Sequence, residues 1–253
     1  MLQDLPNGPT ADRRGQWFWG SAVLVADQPE KVNASENDPA LRIGPALRHL
    51  IDGAQTEVLL TSPYFVPSDD DAKEFIVLAK RGVAIRIITN SLASTDEPAV
   101  HVGYSEHRRA LIAGGVDLYE LKPVAGIKQT AAQYASGVGL HAKSLVVDRR
   151  YVFVGSMNMD QRSKLLNTEM GLIVDSPPLA KAVADYFTTI TVPANAYHVT
   201  LENSGPDGKL SGAMRWETTE DGKPVTLTHE PEVGLGRRTE VLLLKLLPID
   251  SLL

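Results

Sequence analysis

The chain of 253 residues contains no cysteine, which excludes disulfides and thiolate metal sites. Its six histidines are scattered, with no H-x-x-x-H or similar spacing, so no metal site is expected. No stretch is apolar enough to span a bilayer. The first residues are polar and carry Pro and Gly, unlike a signal peptide. A global basic field is also missing. The net charge is −6, which argues against nucleic acid as the main partner. What remains is an ordinary globular composition, 43% hydrophobic and 22% charged, long enough for one large core.

Strand-like and helix-like stretches alternate, which predicts an α/β layered domain. Strands are expected at 21–26, 57–62, 83–89, 116–121 and 170–174. Helices are expected from Asp38-Pro39 to about Gly53, from Ser68 to Lys80-Arg81-Gly82, over 100–113 and over 178–190. Residues 1–16 read as a linker or loose terminus, followed by one domain over 17–253. Within it, 197–230 is Thr-rich with turn signals and reads as an antiparallel meander. Residues 237–253 read as an apolar helix led by Arg237 and Arg238. Core packing is the plain reading of that helix, and contact with an anionic membrane surface is the alternative. Trp17-Phe18-Trp19 reads as core or edge packing, with a membrane-interface role as the alternative. Tyr64 and Phe65 are candidates for a substrate entrance or for packing. The polar loop 90–98 follows a strand end, where α/β proteins tend to place ligand contacts. Residues 122–139 read as a long loop before His141, either a cover over the site or disordered.

The polar residues of 139–169 carry the chemistry. His141 and Lys143 are two apart, which on a strand means the same face. Asp148 closes that strand, Arg149-Arg150 make a tight connection, and 151–154 reads as the return strand of a hairpin. Gly155-Ser156-Met157-Asn158 is a small-residue turn with two hydrogen-bonding side chains. This set suits a phosphate ester: imidazole can attack phosphorus, an ammonium can neutralise phosphate oxygens, and hydroxyl, amide and turn N–H groups can hold developing charge. From 141 to 164 five basic residues stand against two acidic ones, a local excess of three. Arg149 and Arg150 within that excess read as a solvated hairpin tip.

The ungapped string H-x-K, four residues, D, six residues, G-S-x-N resembles the HKD signature of the phospholipase D superfamily. The resemblance implies a layered domain with a mixed β-sheet flanked by helices and a metal-free, cofactor-free reaction. It implies His141 as a nucleophile forming a phosphohistidine, Lys143 and Asn158 as phosphate ligands with Ser156 beside them, and a supporting Asp148. Glu169, in Asn167-Thr168-Glu169, would orient the histidine. Further stretches are similar to bacterial cardiolipin synthases, most of all the branch called cardiolipin synthase C: 61–67, 89–96, Gly103-Tyr104, 108–119, 158–163 and the terminal 246–253. That similarity implies phosphatidyl transfer between phospholipids, with phosphatidylglycerol and phosphatidylethanolamine as partners, on the bacterial cytoplasmic membrane. Members of the superfamily build one site from two motifs. His49, His101, His107, His198 and His229 lack a lysine two residues on, so a second motif is expected from another half of the enzyme or a second copy of the chain. Two rival readings stand beside this one: a homodimeric phosphodiesterase or nuclease, and an isolated half that binds phosphate or lipid head groups without turnover.

Overall fold

The structure is a computed structural model, described here for residues 17–33, 38–123, 139–203 and 210–245. Ten strands form one sheet: β1 (Ser21–Ala26), β2 (Glu57–Thr61), β3 (Ala84–Asn90), β4 (Asp117–Leu121), β5 (Ser144–Val147), β6 (Tyr151–Gly155), β7 (Met170–Asp175), β8 (Ala196–Asn203), β9 (Leu210–Glu220) and β10 (Lys223–Leu227). Their order is β1-β7-β6-β5-β2-β3-β4-β8-β9-β10. Only β2, β3 and β4 run parallel to one another, and the remaining pairings are antiparallel, so the sheet is mixed. All of β2 is buried, as the apolar run Val58-Leu59-Leu60 at its centre requires between two layers.

Helices α1 (Gly44–Asp52), α2 (Asp69–Lys80) and α3 (Pro98–Ala113) cover one face. Leu47 and Ile51, Phe75 and Leu78, and Leu111 from these helices meet Val58, Leu60, Ile85 and Ile87 from the strands in the main core. A short α4 (Gln161–Leu165) follows β6. The opposite face is covered by α5 (Pro177–Ile190), whose Ala180, Ala184 and Phe187 pack on Leu59, Ile88, Val146 and Val152. Helix α6 (Leu235–Leu244) ends the described chain.

Most expected elements are present, with four differences. The helix expected from Asp38 is split. A 3-10 turn, Pro39–Leu41, is capped by Asp38, the backbone turns extended at Arg42, and α1 restarts with Pro45 in its first turn. The Thr-rich stretch does form antiparallel pairs, and Asp221 (φ 48°) and Gly222 (φ 74°) make the left-handed turn that a two-residue hairpin needs. It extends the main sheet through β4–β8 pairing. Trp17 and Trp19 are exposed rather than packed in the core, and α6 buries none of its residues, with Leu242 and Leu243 on the surface. The part of the expected C-terminal helix beyond 245, the linker 1–16 and most of the 122–139 loop lie outside the described residues. Among the described residues no helix is long and apolar enough to cross a membrane.

Candidate active site

Strand register gathers the motif. Ser144 pairs with Val154, which pairs with Leu172, and Gly155 pairs with Gly171. Lys143 extends this row, its carbonyl accepting the Gly155 N–H at 3.3 Å. The residues just beyond that row, His141, Ser156, Asn158 and Glu169, therefore emerge at one end of three adjacent strands. His141 and Lys143 lie in the extended segment immediately before β5, not within the strand itself. Two glycines permit the approach of β6 and β7. A Cβ on Gly155 would lie 2.4 Å from the Met170 carbonyl, and one on Gly171 would lie 2.2 Å from the Phe153 ring. That ring lies over the glycine pair and fills the space their missing side chains leave.

Glu169 is buried. Its Oε2 accepts the Ser156 hydroxyl in a short hydrogen bond, and its Oε1 accepts Asn167 Nδ2 at 3.2 Å. The Met170 N–H donates to Ser156 Oγ at 3.1 Å. Glu169 thus addresses Ser156 and Asn167 here, while His141 is exposed. The Lys143 ammonium donates to the His141 carbonyl at 3.0 Å. Burial pushes Lys143 below the ordinary lysine pKa, against the opposing pull of Glu169, Asp160 and Asp96. A half-buried ammonium facing three carboxylates has lost part of its hydration, which favours replacement of water by a bound anion. Asp160 is itself raised, first by burial and further by Glu169, and its Oδ1 caps α4 by accepting the Ser163 N–H at 2.6 Å.

Asn158 is half-buried, and its Oδ1 has no hydrogen-bond partner among the described residues. Its backbone N–H donates to Ser163 Oγ at 3.3 Å, the Met159 N–H donates to Ser62 Oγ at 3.1 Å, and the Val66 N–H donates to the Met159 carbonyl at 2.7 Å. The 61–67 stretch is thus a strap under the Gly-Ser-x-Asn turn. Phe65 is fully buried against Phe75, with ring centroids 6.3 Å apart, and so serves packing. Tyr64 instead lines a cavity of about 600 Å³ together with Asn90, Ser94, Asp96 and His141. The Tyr64 hydroxyl donates to Asp96 Oδ1 at 2.9 Å, and burial followed by that carboxylate raises its pKa well above the usual tyrosine value.

The structure separates Asp148 from the rest. It sits at the far end of β5, about 16 Å along the chain from Lys143 at strand rise. There its carboxylate accepts the N–H groups of Gln55, Thr56 and Glu57 at 2.7–3.2 Å and the Thr56 hydroxyl at 2.8 Å. Asp148 therefore joins the hairpin tip to the start of β2. Arg149 and Arg150 share that end and pair with Glu57 and Asp175, each at 2.8 Å. They contribute no positive charge to the His141 end.

Three contributors lie outside the HKD string. Asn90 Oδ1 accepts the Leu140 N–H at 2.9 Å and its Nδ2 donates to the Leu140 carbonyl at 3.2 Å, fixing the backbone next to His141. The sequence signal was its place at the end of β3. Asp27 and Lys31 form a buried ion pair behind Glu169. Their i,i+4 spacing of opposite charge was the available signal, and it does not reveal burial.

Comparison with known proteins gives a consistent picture. A family model described as "Cardiolipin synthase, PLD-like domain" matches residues 47–191. Cardiolipin synthase C of Escherichia coli (strain K12) is 33% identical over 240 residues, covering 93% of this chain and 49% of that protein. The chain thus spans about half the length of this relative. The structure of phosphatidylserine synthase from Haemophilus influenzae Rd KW20 superposes with TM-score 0.56 at 15% identity, over 91% of this chain and 46% of that one. Nuc from Salmonella typhimurium, a phospholipase D family member, gives 0.50 at 17% identity, over 67% and 93%.

Proposed function

This chain belongs to the cardiolipin synthase, PLD-like domain family, and on that premise we propose that it is one half of a phosphatidyltransferase that makes cardiolipin from phospholipids. The observation that carries the reading is the strand register that puts His141, Lys143, Ser156, Asn158 and Glu169 at one sheet end.

The reaction runs as a double displacement on phosphorus. One imidazole of a motif pair, His141 or its counterpart, attacks the phosphorus of a donor phospholipid. A nitrogen–phosphorus bond forms, the bond to the head-group oxygen breaks, and the other imidazole gives that oxygen its proton. The same imidazole then takes the proton of a phosphatidylglycerol hydroxyl, whose oxygen displaces the first imidazole from phosphorus. Lys143 and Asn158 hold the non-bridging oxygens, and Ser156 places its hydroxyl beside them. Glu169, now bonded to Ser156, becomes the partner of the His141 ring when that ring carries positive charge. The counterpart imidazole comes from the other half of a longer enzyme or from a second copy, which agrees with a chain spanning about half of its relative. Contact with the membrane is peripheral in this reading, since the substrates are lipids.

The test is incubation of the chain with phosphatidylglycerol and phosphatidylethanolamine liposomes, alone and with a complementing N-terminal half from a cardiolipin synthase, with cardiolipin read by mass spectrometry. Product that disappears in His141→Ala is expected in at least one arm. Product undiminished by His141→Ala would remove this residue from the reaction.

A further inference from the structure

The cavity beside His141 holds a carboxylate that the double displacement does not use. Tyr64, Asn90, Ser94, Asp96 and His141 line about 600 Å³ there, room for a small polar group. Most polar atoms of this wall are already engaged. Asn90 bonds both peptide groups of Leu140, and Ser94 Oγ donates to the Leu121 carbonyl at 2.9 Å and lies 3.3 Å from Asn90 Oδ1. Asp96 differs. Its Oδ1 accepts the Tyr64 hydroxyl at 2.9 Å, while among the described residues its Oδ2 has no hydrogen bond and the carboxylate has no ion-pair partner. The residue is exposed, and its loop is pinned on both sides. Ser94 is tied to Asn90, and the Thr95 carbonyl accepts a short hydrogen bond from Arg237 of α6.

A free carboxylate is adverse beside a phosphate site. Lys143, the cation that would hold the phosphate, feels the negative field of Glu169, Asp160 and Asp96. Glu169 and Asp160 have internal partners: Ser156 and Asn167 for the first, the Ser163 N–H for the second. Asp96 therefore adds a charge that no described side chain balances, and it repels a purely anionic ligand. The conflict disappears when the substrate carries a cation next to its phosphate. A zwitterionic head group does so, with its ammonium two carbons beyond the ester oxygen. That ammonium donates to a carboxylate in a charge-assisted hydrogen bond, which a neutral glycerol head group cannot match. We propose that Asp96, held by Tyr64, takes the ammonium of an aminoalkyl phospholipid whose phosphate lies at Lys143 and Asn158, and so selects the donor. The inference rests on the phosphatidyl-transfer reading and deepens it by naming the residues that recognise the head group.

The experiment reads binding and needs no turnover. The intact chain is titrated by calorimetry with dihexanoyl-phosphatidylethanolamine and with dihexanoyl-phosphatidylglycerol, each below its micelle concentration. Wild type is expected to bind the ethanolamine lipid about fivefold more tightly, the upper end for a partly exposed ion pair. The preference should fall as salt is raised. Asp96→Asn should weaken the ethanolamine lipid to the level of the glycerol lipid and leave the glycerol lipid no weaker. Asp96→Lys should reverse the preference, and Tyr64→Phe, which releases the carboxylate from its anchor, should lose part of it. Asp96 is exposed, so its substitution leaves the core intact, and a thermal melt of each variant checks this. Equal affinity of wild type for both lipids, an equal loss of both in Asp96→Asn, or no binding of either would overturn the proposal. The two readings fail separately. A preference abolished by Asp96→Asn, in a chain that yields no cardiolipin in any arm of the liposome test, keeps the head-group site and sinks only the transfer reading. Cardiolipin formed from the ethanolamine lipid at the wild-type rate by Asp96→Asn does the reverse.

Discussion

Asp27 and Glu169 are clasped in both directions. The Asp27 N–H donates to the Glu169 carbonyl at 2.8 Å, and the Glu169 N–H donates to Asp27 Oδ2 at 2.8 Å. Asp27 Oδ1 accepts the Ile43 N–H at 2.8 Å, and the Lys31 ammonium binds Asp27 while donating to the Ser163 carbonyl at 2.8 Å. One buried ion pair thus ties β1, α1, α4 and the start of β7 together. Removal of one partner strands the other charge in the interior. Asp27→Ala is expected to cost about 3–5 kcal/mol in urea unfolding. The double change Asp27→Asn with Lys31→Met, which removes both charges, should recover most of that loss. Wild-type stability in Asp27→Ala would show that the clasp does not hold Glu169.

Asn90 acts on His141 through the backbone. Its side chain satisfies both the N–H and the carbonyl of Leu140, and all of these groups are buried. Asn90→Ala leaves two buried peptide groups unpaired, a loss of about 1–3 kcal/mol. The expected kinetic effect in a transfer-competent assembly is a fall in kcat with KM nearly unchanged, because the imidazole and not the phosphate ligands loses its position. Hydrogen exchange at the Leu140 amide should accelerate in parallel. A protected Leu140 amide in Asn90→Ala would remove the positioning role.

The sequence made the element order and the hairpin of the motif legible, because both rest on local signals: the tight Arg149-Arg150 connection between two apolar runs, Asp38 and Ser68 as caps, Asp221-Gly222 as a turn. Five of the six motif residues singled out in the sequence gather at one end of the sheet. Position along the chain could not show that Asp148 points away from them. A strand puts its two ends far apart, and sequence spacing alone does not say that the turn residue faces the start of β2 instead of the site. Burial was equally illegible for Lys31, whose charge predicts exposure until its two oxygen partners are seen. Trp17 and Trp19 show the converse case, large aromatic rings left on the surface.

Asp148 should matter for stability and not for turnover. Burial alone would raise its pKa, but the N–H groups of Glu57, Gln55 and Thr56 hold it below the usual aspartate value. A depressed pKa contributes stability that is present above the unfolded value of 3.8 and is lost as pH falls through the folded one. Asp148→Ala is expected to lower unfolding stability by about 1–3 kcal/mol through the lost hydrogen bonds. The difference from wild type should shrink in acid, while transfer per folded molecule at neutral pH stays unchanged. Loss of transfer in a fully folded Asp148→Ala would return this residue to the site.

The far side of the molecule offers a second acid-sensitive element. Arg108 donates to Glu120 and Glu230, each at 2.7 Å, and lies over the rings of Tyr104 and Trp216 at 5.3 and 5.0 Å. Trp216 Nε1 donates to Glu120 at 2.9 Å, and His101 Nε2 lies 3.3 Å from Glu230. This network fastens α3 to β4, β9 and the segment after β10. Burial would raise the Glu230 pKa, but its contact with His101 and the Arg108 guanidinium outweigh that and bring it well below the ordinary 4.5. Its contribution is therefore full above 4.5 and fades as pH falls below that value. Glu230→Gln should be markedly less stable than wild type at neutral pH, and chemical denaturation repeated at decreasing pH should show the two stabilities converging. Arg108→Met is expected to cost more, about 3–5 kcal/mol, because it leaves two carboxylates in the interior without their cation. A gap between wild type and Glu230→Gln that stayed constant down to strongly acidic pH would mean that Glu230 is held by packing, and that its charge does not fasten the end of the sheet.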